Sequence, residues 1–455
     1  MPRSVYVLFS ILILFRISWS SELPQNIYLI GQSPLHSFLL WQEIQADTIQ
    51  FPYFLPSKET TINDIGLNDF YQSWHSCDEF PVFFRIDGDL ISSTRSNRVR
   101  KIFRGISQHK LGPKLFIQNN FEIDSHGFED NHFRGAKTLA FGDWTTYLQH
   151  SAISYIFETG HISAGKGNIF TSAFGNSLII NSNFPPAEFV WWHQNYEKLN
   201  FDWGIKLLTT LNGINRFLTF HRYAYSSRIL SIGFTEMALV GYDDISAKEY
   251  SYLMPSSFFY ETEVNNIGGS NLMWGFDFLL KYWDYTINCE LLVDDYAIDG
   301  LSPAKIGLKI GIGHNGPYFD LYSEYVRINR WTGNYYYPEL RYVEDSVLIG
   351  SPIGPDAHSM KVMLFKQVKD KLYLTTSISW IESGNGNIYE WPVGVDSGRN
   401  FGYRHEEFPT RPITTKYEST FILEYLINPH VNSGLKWNIS SIDPPLIQFH
   451  IKLNI

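Results

Sequence analysis

The sequence predicts an all-β fold: a transmembrane antiparallel β-barrel of about 18 strands with an N-terminal plug segment. Three observations carry the prediction. Apolar and polar residues alternate with a period of two through most of the chain after Gly112, the pattern of strands with one greasy and one wet face. The clearest alternating segments run roughly nine to eleven residues, the length at which a tilted strand crosses a bilayer. Connections alternate short and long, with 213–216, 297–302 and 441–444 as exceptions, as in barrels with brief turns at one rim and extended loops at the other. A soluble sandwich also alternates, but apolar faces this large and this rich in Leu, Phe and Tyr suit a lipid-facing band.

Composition agrees. Of the 455 residues 44% are hydrophobic and only 18% charged, with 34 Phe, 28 Tyr and 13 Trp. Charge is scarcer than the ~25% of ordinary soluble domains, yet no run of ~18 apolar residues offers a membrane helix. A net charge of −10 leaves no basic footprint, so no nucleic-acid partner is expected. Two cysteines, Cys77 and Cys289, exclude a disulfide scaffold and a multi-cysteine zinc site.

Along the chain, Met1 to Arg3 is a small positive region and Val5 to Phe15 an apolar core. Ser18-Trp19-Ser20 supplies small residues before Ser21. Residues 1–20 therefore read as a secretory signal peptide, too short to span a bilayer. Residues 21–111 are irregular and are expected to form the plug or a periplasmic segment. Within them Thr94 to Lys110 reads as a modestly helical basic piece holding Arg95, Arg98, Arg100, Lys101, Arg104 and Lys110.

Residues 112–455 are expected to form the barrel, with roughly five strands in 114–182 and thirteen from Glu188 onward. The clearest runs from Leu272 to Tyr282, with Leu272, Trp274, Phe276, Phe278, Leu280 and Tyr282 on one face and Gly275, Asp277 and Lys281 on the other. The two-residue link Trp283-Asp284 predicts a hairpin into Tyr285 to Val293. Similar alternation marks Ala304 to Ile312, Lys371 to Ile381, Phe421 to Ile427 and Ile447 to Ile455. Asn315-Gly316 marks a tight turn.

Charged residues inside such strands need partners when buried. Arg222 and Glu236, on neighbouring strands, are expected to form an ion pair within the wall. Asp277, Lys281, Glu290, Lys305 and Lys309 would line the lumen with both signs, suiting a salt-bridged interior. Asp294, Asp295 and Asp299 cluster beside Gly300 without EF-hand spacing, so they read as a solvated strand end, and no metal or cofactor is expected. Gly160 to Gly167 nearly spells a phosphate loop, but Gly167 stands where a Ser or Thr is needed. No Gly-x-Ser-x-Gly nucleophile motif occurs, and no enzyme activity is expected.

Two long connections are more suggestive. Residues 329–360 hold Arg330, Trp331, Tyr335, Tyr336, Tyr337, Arg341 and Tyr342; residues 382–416 hold Tyr389, Trp391, Tyr403, Arg404, His405 and Arg411. Tyr and Trp combine a flat apolar face with a polar tip and stack on sugar rings. Arg pairs bidentately with carboxylates such as those of uronates. Arg330, Trp331, Tyr336, Arg341, Trp391, Tyr403 and Arg404 are therefore candidate contacts for anionic polysaccharide.

Several stretches resemble the bacterial capsule assembly protein Wzi family. Gly165-Lys166-Gly167 and Ser177 to Pro186 resemble its glycine-rich turn and Pro-Pro segment. Phe220 to Tyr223 and Ile232 to Glu236 resemble its His-Arg and Gly-x-x-Glu strands, and Ser270 to Asp277 its Asn-x-x-x-Gly-x-Asp strand. Glu290 to Tyr296 and Ile349 to Pro355 complete a series over about residues 140–365. Residues 21–111 do not match the family's N-terminal region, and the chain's last residue is Ile455 rather than an aromatic. The resemblance implies an 18-stranded outer-membrane barrel with a helical plug. It also implies a non-enzymatic, lectin-like role in attaching or organising capsular or exopolysaccharide at the cell surface. The expected partners are that polysaccharide and outer-membrane lipid, with a monomeric barrel. A porin or transport channel for small or apolar solutes is the alternative, and a barrel enzyme acting on lipid or glycan a third reading.

Overall fold

A strand with one apolar and one charged face is stable only where each face meets its own kind of medium. In the computed structural model that condition is met by a closed sheet. The structure describes residues 82–454 except 94–95, 112–113, 126, 128–141, 143, 158, 168, 170–176, 182–183, 228, 244–246, 266–268, 296–302, 317, 370, 391–406, 429–430 and 444. The proposed signal peptide and most of the expected plug lie outside the described residues.

Eighteen antiparallel strands form one sheet among the described residues. They are β1 (Val82–Ser93), β2 (Ser96–Lys110), β3 (Leu115–Asp124), β4 (Thr145–Phe157), β5 (Gly160–Gly167), β6 (Ala187–Tyr196), β7 (Leu199–Leu211), β8 (Ile214–Ser226), β9 (Leu230–Tyr242), β10 (Ser270–Tyr282), β11 (Tyr285–Asp295), β12 (Lys305–Asn315) and β13 (Asp320–Ile328). After a small hairpin of β14 (Val343–Glu344) and β15 (Val347–Leu348) come β16 (Ala357–Lys369), β17 (Leu372–Ser383), β18 (Thr414–Asn428), β19 (Val431–Ser440) and β20 (Leu446–Asn454). Each barrel strand pairs with its neighbours in sequence, and β1 pairs with β20 from Arg85↔Asn454 to Ser93↔Leu446. The ring therefore has no free edge, as a spanning sheet requires.

The faces are sorted inside out. On β10, Asn271, Met273, Gly275, Asp277 and Lys281 are buried toward the lumen, while Phe276 and Tyr282 are exposed outward. Ile287, Ile310, Ile312, Phe421, Leu423, Tyr425, Trp437, Ile447, Phe449 and Ile451 are likewise exposed on the outside, whereas Lys309 is 0% exposed within. The predicted β10–β11 hairpin is present, with Tyr282↔Tyr285 as its last pair and Trp283 in the left-handed region at φ 54. Around the short-turn rim Tyr196, Trp283, Tyr285, Tyr318 and Phe319 stand exposed, forming an aromatic girdle. Ile310→Arg, in mid-β12 on the lipid side, is expected to cost about 2–4 kcal/mol, read by urea titration of the protein refolded into liposomes.

Two expectations are corrected. Residues 96–110 are not helical: they form β2, whose lumenal Arg100 and Arg104 pair with Asp124 and Glu122 of β3. A charged inner face made a barrel strand look like an amphipathic helix. Val82–Ser93 and Ser96–Lys110 thus belong to the barrel wall rather than to a plug. Among the described residues, 114–182 supply three strands, β3 to β5, where five were expected. The total still reaches eighteen because β1 and β2 join the thirteen barrel strands from β6 onward.

All the long connections share one rim: 125–144, 168–186, 243–269, 329–356 and 384–413. Two of them fold inward. Ile169, Leu178, Ile179, Ile180 and Phe184 from the first inward loop meet Leu340, Tyr342, Val343 and Ile349 from the second. Both pack on Leu208, Leu218, Phe220, Met237, Leu239, Met273, Leu292, Val326 and Ile328 from the inner wall. A hydrophobic core thus sits inside the barrel, built by its own loops.

Candidate functional site

Two levels of the interior bear on function: a charged belt in the wall, and a loop platform at the long-loop rim. In the belt, Arg222 of β8 donates from Nε to Asp277 Oδ2 at 3.0 Å and from Nη2 to Asp277 Oδ1 at 2.7 Å. Its Nη1 lies 3.8 Å from Asp202 Oδ2. Asp202 also accepts from His193 Nδ1 at 2.9 Å and Trp191 Nε1 at 3.2 Å. The Arg222–Asp277 pair passes over Gly233, where a Cβ would strike both side chains. Further round, Lys309 bridges Glu290 at 4.0 Å and Glu324 at 3.4 Å.

The expected Arg222–Glu236 pair is not formed. The register sets His221 opposite Glu236 and Arg222 opposite Thr235, and directly opposed residues share a face. Arg222 therefore points into the lumen, while Glu236 points outward and accepts from His221 Nε2 at 2.8 Å. A one-residue offset in register exchanges faces.

The belt and the motif residues hold the inward loops in place. Glu290 Oε2 accepts from the Leu178 amide at 2.8 Å, and Asp294 Oδ2 from the Gly333 amide at 2.8 Å. Lys305 lies 4.0 Å from Asp294 and donates to the Asn334 carbonyl at 3.2 Å. Asn181 donates to the Ile349 and Gly350 carbonyls at 2.8 and 3.1 Å, and the Tyr342 hydroxyl to the Ile179 carbonyl. Asp294 is thus a loop tether. Among the described residues no group of three or more His, Cys, Asp or Glu is placed to hold a metal.

At the rim, the two connections singled out for their aromatics are brought together. Asp356, fully buried and in the left-handed region at φ 57, ties them. Its Oδ2 accepts from the Gly386 amide at 2.9 Å, its Oδ1 from the Thr410 amide at 3.1 Å, and the Thr410 hydroxyl donates to the same carboxylate. Arg330 completes the contact, 3.7 Å from Glu390. On this base Tyr336, Tyr337 and Tyr389 stand 51%, 52% and 54% exposed, with the first two rings edge to face at 5.0 Å. Arg341 Nε donates to the Tyr335 carbonyl at 3.3 Å. Burial pushes the Tyr335 phenol up to about 12, with Glu263 and Asp294 adding in the same direction, so it remains a neutral hydroxyl.

Trp331 is placed differently from the expectation of a stacking surface. It is 5% exposed, with the Arg330 guanidinium 4.6 Å above its ring. It supports the arginine rather than facing solvent. Trp391, Tyr403, Arg404 and His405 lie outside the described residues. Asp356 was missed in the sequence, because one Asp between Pro355 and Ala357 carries no pattern; only the positive-φ backbone marks it.

No protein-family model and no curated protein sequence matches the chain. Among solved structures, the chain is similar to Wzi, an outer-membrane protein involved in group 1 capsule assembly in Escherichia coli and described as a carbohydrate-binding β-barrel. That match has 10% identity, 94% of this chain and 99% of that chain covered, and a TM-score of 0.62. OccK8 (OprE) of Pseudomonas aeruginosa aligns at 8% identity over 83% of this chain and 98% of its own, with a TM-score of 0.49. OccD3 (OpdP) of the same organism aligns at 8% over 82% and 91%, with a TM-score of 0.48. At 10% identity the likeness to Wzi is one of fold, and this chain is an 18-stranded transmembrane barrel built on the plan that Wzi shows.

Proposed function

We propose that this protein is an exported, non-enzymatic outer-membrane barrel of a Gram-negative-type bacterium. It binds acidic surface polysaccharide at its long-loop rim and assists capsule or exopolysaccharide assembly or attachment. The observation that supports this reading is the platform of exposed Tyr336, Tyr337 and Tyr389 beside Arg330 and Arg341, held rigid by the Asp356 tether. Ring faces offer stacking surfaces for sugar C–H groups, and guanidinium groups select carboxylates. The inward loops and the paired charges of both signs favour a filled interior over an open conduit.

The test is titration of detergent-purified protein with acidic and neutral polysaccharides. Tyr336→Ala and Tyr389→Ala are each expected to weaken binding of both about tenfold, or ~1.4 kcal/mol. Arg341→Ala is expected to weaken the acidic polymer selectively. Unchanged binding in all three variants overturns the assignment. Large steady conductance in planar bilayers would instead make the barrel a channel.

A further inference from the structure

The connection between β9 and β10 contains two short helices, α1 (Ala247–Tyr252) and α2 (Phe259–Asn265), and they lie on the outside of the barrel. Phe259 and Tyr252 are buried against Phe217 of β8 and Ala238 and Val240 of β9, all outward-facing positions. The Tyr252 hydroxyl and Ser270 Oγ are 2.9 Å apart, and Tyr260 packs on Trp274 at 5.5 Å. Beneath the helices lies the His221–Glu236 pair. Glu236 also accepts from the Phe259 and Tyr260 amides at 3.0 and 2.9 Å, and the His221 ring lies tilted against Phe259 with centroids 4.5 Å apart. His221 and Glu236 are buried, although their strand positions are lipid-facing ones.

This patch of wall is not fit for hydrocarbon by itself. Thr219, His221, Glu236 and Ser270 share the outward face with Phe217, Ala238 and Val240, and a carboxylate facing lipid is costly. Glu236 stands at the middle of β9, about 20 Å along the strand from its outer end at ~3.3 Å per residue. The helices therefore reach well down the outside. Their own outer surface is mainly apolar: Tyr250, Met254, Phe258, Tyr260 and Val264 are about half exposed, with Glu261 as an exposed acidic residue among them. Laterally this surface continues the barrel's greasy band, since β10 pairs with β11 and sets Trp274 beside outward-facing Val293.

We infer that the α1–α2 pair is a membrane-embedded cover. It seals the His221–Glu236 pair from lipid and seats Tyr250, Met254, Phe258 and Val264 in the headgroup and acyl boundary of the leaflet on the long-loop side. The occupant of this surface is bilayer lipid. Continuity with the lipid-facing wall and an aromatic-apolar surface are what an element lying in the interface presents.

The test uses the full protein with Cys77→Ser and Cys289→Ser, reconstituted in phosphatidylcholine vesicles. An environment-sensitive fluorophore is attached at Phe258→Cys, at Val264→Cys, or at Tyr389→Cys as a water-exposed reference. Lipids carrying a nitroxide near the headgroup are expected to quench Phe258 and Val264 labels at least threefold more than Tyr389, with the order reversed for aqueous iodide. Equal iodide quenching at all three sites overturns the inference. So does protection of Phe258 and Val264 from both quenchers with a doubled mass in detergent, which would make the surface a contact between two copies. Glu236→Ala, with the barrel still heat-modifiable on gels, is expected to abolish the lipid quenching at Phe258. Its persistence would show that Glu236 does not dock the helices.

Discussion

Arg222→Ala is expected to destabilise the barrel by about 3–5 kcal/mol, because it strands the buried Asp277 carboxylate and takes a cation from beside Asp202. Asp277 would lose both of its guanidinium donors, at 2.7 and 3.0 Å, and Asp202 its cation at 3.8 Å. Asp202 keeps His193 and Trp191 as donors, so most of the loss is expected at Asp277. Arg222→Ala/Asp277→Ala should consequently recover part of the deficit, since removing both partners leaves no unpaired charge there. Urea titration in liposomes measures each variant. A single-variant cost under ~1 kcal/mol would mean that the belt is decoration.

The second large effect is expected at Asp356. Asp356→Ala removes three hydrogen bonds that join the 329–356 and 384–413 connections, without touching the exposed tyrosines. Two of the donors are backbone amides, and each hydrogen bond to a charged acceptor is worth roughly 1.5–3 kcal/mol. Polysaccharide binding should fall at least as far as in the tyrosine variants, and protease cleavage within 384–413 should rise while the barrel stays folded. Asp356→Asn keeps the acceptors of one oxygen and should fall between. If Asp356→Ala bound normally, the platform would not depend on loop rigidity.

Much of the wall was legible because lipid outside and charge inside impose the shortest possible period. The β10–β11 hairpin, the thirteen strands after residue 187 and the short and long rims all follow from that. What failed was where the inside differs from the lipid-free norm. On β2, Arg100 and Arg104 share the lumenal face, and their spacing of four imitates a polar helical stripe. Within 114–182, where five strands were expected, the Leu178-Ile179-Ile180 run is instead buried as part of an inward loop. Arg222 and Glu236 were placed on the right strands but on one face, since register depends on pairing across the sheet and not on either strand alone. The site was legible as a composition of loops. Its arrangement was not: burial of Trp331 and the bonds of Asp356 depend on contacts between segments far apart in sequence.

That separation has a kinetic consequence. Hairpins such as β10–β11 join neighbours and should form quickly, but the ring closes only when Arg85 meets Asn454. The interior core likewise waits for Leu178 to find Glu290 and Asn181 to find Ile349. Loop-closure entropy makes such long-range meetings the slow events of folding. Assembly into a bilayer should show a fast phase of sheet growth and a late phase in which closure and loop insertion occur together.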